Sequence, residues 1–152
     1  MLYSEKMRPF AAAHPCRTID VDGAQFRYIL TGKPEGRTRV FLNGGMNTLE
    51  MWMDYVDALA DTGRVLLFDY PQQLRTNQAL VAGMHAFFAA VKGKILLILP
   101  DQDFFSGQMQ QDLIRLMHEP EIRYVSGGHL STVLKTEDYI RTIRAFLAGQ
   151  PE

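Results

Sequence analysis

Cysteine is almost missing from this chain: Cys16 is the single thiol in 152 residues. One thiol excludes an internal disulfide and suits a reducing compartment. Long apolar runs are missing too, and none approaches the roughly 20 residues of a membrane span. The opening residues, MLYSEKMRPFAAAHP, lack the continuous apolar core of a signal peptide. Neither charge sign dominates. Sixteen Lys and Arg face 17 Asp and Glu, for a net charge of −1 at pH 7, so nothing electrostatic draws the chain to nucleic acid or to an anionic membrane. The dinucleotide fingerprint G-x-G-x-x-G is absent, which speaks against a nucleotide cofactor. No group of histidine, cysteine and carboxylate has metal-ligand spacing. These absences lead to an expectation of a soluble, cytoplasmic protein with no cofactor, no metal, no nucleic-acid partner and no membrane partner.

What remains is ordinary globular composition, 47% apolar and 22% charged. The length fits one domain. Pro9 and Pro15 mark residues 1–16 as an irregular leader, leaving 17–152 as the domain. CRTIDVDG alternates apolar and polar residues up to the turn signal Asp22-Gly23, and AQFRYILTG follows as its hairpin partner. TRVFLN, GRVLLFDYP and GKILLILPDQD read as short buried strands. Between them Leu49, Trp52, Met53, Val56 and Leu59 recur at helical spacing behind Thr48, a plausible N-cap. A second helical pattern runs from about 76 to 91. SGQMQQDLIRLMHEP and KTEDYIRTIRAFLAG add two more helices around the strand EIRYVSGG. Such alternation predicts an α/β three-layer sandwich: a mostly parallel sheet of about six strands, opened by an antiparallel hairpin.

Sites in such folds lie at the carboxyl ends of strands. Three loops there carry suggestive residues: Asn43-Gly44-Gly45-Met46, Pro100-Asp101-Gln102-Asp103 and Ser126-Gly127-Gly128-His129. A carboxylate after one strand and a histidine after the next can work as an acid/base pair, the carboxylate fixing the imidazole tautomer while the imidazole moves a proton. Backbone amides of a Gly-Gly turn can hold an oxyanion. The chain order of oxyanion loop, acid, histidine is the one this chemistry uses.

In that order the segments FRYILTG, VFLNGGMNTLEMW, RVLLFDYP, ILLILPDQDFFSGQMQ and VSGGHLSTVLKTEDYIRTIRAFL resemble the α/β-hydrolase family, from about Arg17 to Leu147. FDYPQQLRTNQALVAGMHAFF resembles its maspardin-like branch more than typical lipases. The resemblance implies a hydrolase acting on ester bonds and a small acyl-ester ligand. It implies Asp103 as the acid, with Asp101 as the rival, and His129 as the base. Gly44, Gly45 and Met46 would form the oxyanion loop, with Asn43 where the family often has histidine.

One departure matters more than the matches. The family presents its nucleophile in a G-x-S-x-G elbow ahead of the acid strand, whereas AFFAAVKGKILLIL runs straight from helix to strand. Of the four serines, Ser4, Ser106, Ser126 and Ser131, none has the elbow pattern. The chain therefore reads as a truncated α/β-hydrolase core with a triad remnant. If it is active, the nucleophile is water or an unexpected serine such as Ser106. The competing reading is a non-catalytic interaction or ligand-binding module. Blander roles compete at each residue: Gly44-Gly45 as a tight turn, Asp103 as a solvated loop acid or N-cap, and His129 as a loop anchor. His14, His85 and His118 are expected to be surface or structural residues. A core shortened in its middle leaves apolar surface open, so a homodimer or higher oligomer is expected, with residues from about Phe87 to Leu99 near the contact.

Overall fold

The leader is the first departure from expectation. The computed structural model describes residues 3–149 apart from 22, 36–37, 43–47, 72–75, 92 and 105–106. Instead of an irregular segment over 1–16, helix α1 runs Tyr3–Ala13 with Pro9 inside it. Proline removes one helical hydrogen bond, but tertiary contacts hold the helix in place. Lys6 Nζ lies 2.7 Å from Asp54, Phe10 is buried, and His14 Nδ1 lies 2.9 Å from Thr31 Oγ1. Packing of one face outweighs the local breaker.

Contacts within the chain divide it into two compact units, residues 1–77 and 78–152. The first holds β1 (Arg17–Val21), β2 (Ala24–Gly32), β3 (Thr38–Phe41), α2 (Met53–Leu59) and β4 (Arg64–Phe68). The β1–β2 hairpin closes at Gly23, whose φ of 77° suits glycine and whose N–H donates to Asp20 Oδ1 at 3.0 Å. Strand order is β1-β2-β4-β3. Strand β2 runs antiparallel to both β1 and β4, and only β3 and β4 pair in parallel. The expected mostly parallel sheet is corrected to a mixed one here. The cause is the placement of β2 between two strands that both run against it.

Alternation along the strands gives this sheet two unlike faces. Ile29, Val65 and Leu67 share one face by register, and all three are buried. On the helical side Leu49, Met53, Val56 and Leu59 are buried as well, at the i, i+4, i+7, i+10 spacing of one helical stripe. The expected helix from Thr48 to about Thr62 is broken into a 3₁₀ turn at Leu49–Trp52, α2, and a second 3₁₀ turn at Ala60–Thr62. At Gly32 (φ 85°) a Cβ would collide with the Gly63 carbonyl oxygen, so this close approach of β2 to the turn before β4 requires glycine.

The second unit holds α3 (Asn77–Ala90), β5 (Leu96–Pro100), α4 (Gly107–Leu116), β6 (Glu121–Val125), α5 (Ser131–Leu134) and α6 (Thr136–Ala148). Strands β5 and β6 pair in parallel, from Leu96 opposite Glu121 to Pro100 opposite Val125. Leu97, Leu99 and Val125 are buried, and so are Phe88, Met117 and Tyr139 from the helices and their ends. Residues 91–95 alone join α3 to β5.

Candidate active site

Parallel pairing of β5 and β6 brings their carboxyl ends side by side, so the loops that follow become neighbours. Asp101 ties them together. Its N–H donates to the Val125 carbonyl at 3.0 Å, the Gln102 N–H donates to the Gly127 carbonyl at 2.9 Å, and Asp101 Oδ1 accepts the Gly127 N–H at 2.9 Å. Gly127 takes φ of 136°, a conformation that side-chain-bearing residues rarely adopt. The loop then turns into α5 through the Ser131 N–H to Gly128 carbonyl bond at 2.9 Å.

This frame brings Asp103 to His129. Each carboxylate oxygen of Asp103 lies 3.3 Å from His129 Nδ1. The carboxylate is 7% exposed and the imidazole 46%, so the acid sits behind the ring and the ring meets solvent. Phe104 covers one side of the imidazole, with ring centroids 4.5 Å apart and a 45° tilt. Behind them Ser131 Oγ and Tyr139 Oη form a buried hydrogen bond at 2.7 Å. Burial pushes the Tyr139 phenol above its ordinary range; the Ser131 bond works against this, and the negative charge of Asp103 adds to it. An open depression of about 310 Å³ adjoins His129, lined by Gly127, Gly128, Leu130, Ser131, Leu134 and Lys135.

The proposed oxyanion residues Gly44, Gly45 and Met46 lie outside the described residues, as does Ser106. The exit of that loop is described. Thr48 stands at the N-cap position but makes no capping bond. Asp69, just past β4, takes that role from a distance: its Oδ1 accepts the Leu49 N–H at 2.6 Å. Arg27 joins Asp69 at 3.1 Å and Glu50 at 2.5 Å. Burial alone would raise the Glu50 pKa, but the Thr48 hydroxyl, its own backbone N–H and Arg27 together hold it below the usual carboxylate range. Sequence reasoning passed over Asp69, Phe104 and the Ser131–Tyr139 pair. The available signal was the position of Asp69 straight after a strand; nothing in the pattern marked the other three. Among the described residues no group of three or more His, Cys, Asp or Glu is placed to hold a metal ion, and no helix is long and apolar enough to cross a membrane.

No protein-family model matches the chain, and no curated protein matches it by sequence. Solved structures do match, and the likeness is one of fold, consistent with an α/β-hydrolase fold. A protein described as a predicted CIB-like hydrolase, from Thermoplasma acidophilum, aligns with a TM-score of 0.65 at 14% identity, over 90% of this chain and 99% of that one. The carboxylesterase CesB from Bacillus subtilis aligns with a TM-score of 0.65 at 10% identity, over 98% of each chain. At such identities the likeness fixes the fold and leaves the chemistry to be argued from residues.

Proposed function

We propose that this is an α/β-hydrolase-type protein of ester-hydrolase descent that keeps the acid–histidine pair and lacks the serine elbow, so that classical serine-esterase turnover is weak or absent. The observation that carries this reading is the 3.3 Å approach of Asp103 to His129 Nδ1. A carboxylate at Nδ1 holds the tautomer that leaves Nε2 as the proton-accepting nitrogen. In the proposed reaction His129 takes a proton from water as the water oxygen attacks the acyl carbon of a small ester. Backbone amides of Gly44, Gly45 and Met46 are the proposed oxyanion donors. Collapse of the intermediate expels the alcohol, which receives the proton back from His129. The depression beside His129, walled by Leu130 and Leu134, suits a short apolar acyl group. Descent from the maspardin-like branch rests on FDYPQQLRTNQALVAGMHAFF, and a shortened centre rests on the direct run from α3 to β5. A cytoplasmic setting suits a chain whose single cysteine is an exposed free thiol.

A second reading, a binding module that has lost its chemistry, is favoured by the missing G-x-S-x-G. Two measurements separate them. Wild type should hydrolyse p-nitrophenyl acetate slowly, His129→Ala should lose the enhancement over buffer, and a serine-reactive phosphonate should leave the protein mass unchanged. Equal rates for wild type and His129→Ala would favour the binding module. Stoichiometric labelling of one serine, abolished by His129→Ala, would reveal a nucleophile and overturn the water route.

A further inference from the structure

His129 is the middle residue of the stretch 127–131, and both ends of that stretch are pinned. At one end the Gly127 N–H donates to Asp101 Oδ1 at 2.9 Å. At the other end the Ser131 N–H donates to the Gly128 carbonyl at 2.9 Å, and the Ser131 carbonyl accepts the Lys135 N–H at 2.8 Å. The Ser131 hydroxyl turns to Tyr139 Oη, 2.7 Å away in the first turn of α6. The two ends also bear on each other, since a Cβ at Gly127 would come within 3.2 Å of Ser131 Cβ. Ser131 and Tyr139 are 3 and 4% exposed. Apolar side chains of the same shape could fill that space at little cost in stability. A hydrogen bond adds what apolar packing lacks, a fixed direction and distance. Burial, reinforced by the charge of Asp103, keeps the Tyr139 phenol neutral beyond its ordinary range, so the bond persists while an imidazole titrates near neutral pH.

We propose that Ser131 and Tyr139 are positioning residues for His129: their buried hydrogen bond ties the far end of the histidine loop to α6 and so sets the distance of the imidazole from Asp103. The proposal rests on the reading of Asp103 and His129 as a working pair. Its force comes from how little slack that pair has. Both Asp103 oxygens stand 3.3 Å from His129 Nδ1, at the long end for an N–H···O bond, and a retreat of about 0.3 Å more would end it. Asp101 cannot prevent such a retreat alone, because it holds only the Gly127 end. With the Ser131 end released, the ring keeps its loop but loses its fixed tautomer, and the nitrogen that takes the proton is no longer assigned.

Paired variants of the full chain separate positioning from plain support. Tyr139→Phe and Ser131→Ala each strand the other hydroxyl and should lower the melting temperature. Ser131→Ala with Tyr139→Phe removes both hydroxyls and should recover most of that loss. A long-range proton–nitrogen spectrum then reads the His129 ring without needing turnover. Wild type should carry the proton on Nδ1, and the stable double variant should show a substantial Nε2-protonated fraction. In p-nitrophenyl acetate hydrolysis the double variant should lose about tenfold in kcat, with KM within about twofold of wild type. If the double variant fails to fold by circular dichroism, Tyr139→Phe alone carries the test. A folded variant that keeps the wild-type tautomer overturns the proposal. So does an equal loss in Thr136→Val, which removes a hydroxyl bonded to the Thr132 and Val133 carbonyls at the same α5–α6 corner. A wild-type ring protonated on Nε2 would sink the Asp103–His129 pair and this proposal with it. Absence of ester hydrolysis in wild type would sink the functional reading alone, and the spectrum would still decide the positioning.

Discussion

The two units of the chain differ in how tightly they are filled. Among the described residues, the largest fully buried side chains, Leu49, Met53, Tyr55, Val56, Leu59, Val65 and Leu67, all lie in the first unit. In the second, the core residues Leu97, Leu99 and Met117 keep a little exposure, while Phe104, Leu130 and Leu134 stand well out into solvent around His129. The first unit contains the most completely buried side chains, and the second displays an acid–histidine pair among apolar side chains that stay exposed. The lesson is that substitutions in the first should register in stability and those around His129 in chemistry.

Truncating a core residue should give the largest effect. Leu67→Ala empties a fully buried site between β2, β3 and the α2 stripe, and should cost about 3 kcal/mol or more in urea unfolding. Leu97→Ala in β5 should cost less, nearer 2 kcal/mol, the low end of the range for such truncations. Equal costs would erase the contrast between the units.

Next comes Asp69→Ala. It strips the acceptor from the Leu49 N–H beneath a buried side chain, and an unmet buried donor costs about 1–3 kcal/mol. A thermal melt identical to wild type would show that the loop exit is held some other way.

Tyr139→Phe is a smaller change, about 1 kcal/mol at neutral pH, because it leaves the buried Ser131 hydroxyl without its partner. Its pH signature is more telling. The folded phenol titrates above its ordinary value, so above pH ~10 the unfolded chain releases a proton that the folded chain keeps. Stability is complete below the unfolded value and is lost as pH rises through the folded one. Tyr70, raised by burial in the first unit, adds a slope of the same sign. Tyr139→Phe should flatten part of the alkaline loss, and unchanged steepness would contradict the Tyr139 assignment. Smallest of all, Leu134→Asn should stay within about 0.5 kcal/mol of wild type, as surface substitutions do, while weakening binding of a short acyl ester.

Much of this was legible in the residues, for stated physical reasons. The Asp22-Gly23 turn signal, the apolar β5 and the loops bearing Asp103 and His129 follow from local pattern alone. The mixed sheet was less legible, because the strand on which β2 pairs, β4, lies more than thirty residues away and leaves no local trace. Helix α1 was hidden by Pro9, whose effect is outweighed by contacts at Lys6, Phe10 and His14. At the site, Asp101 and Asp103 are equivalent as letters. Their difference arises only when Asp101 turns its carboxylate to the Gly127 N–H and leaves Asp103 facing the imidazole.

That division between two neighbouring carboxylates is the central claim. A long-range proton–nitrogen correlation spectrum of the histidine rings, recorded at alkaline pH where imidazole is neutral, tests it directly. His129 should carry its proton on Nδ1 in wild type and in Asp101→Asn, and should lose that tautomer in Asp103→Ala. A wild-type His129 protonated on Nε2, or a tautomer that follows Asp101 instead of Asp103, would contradict the account.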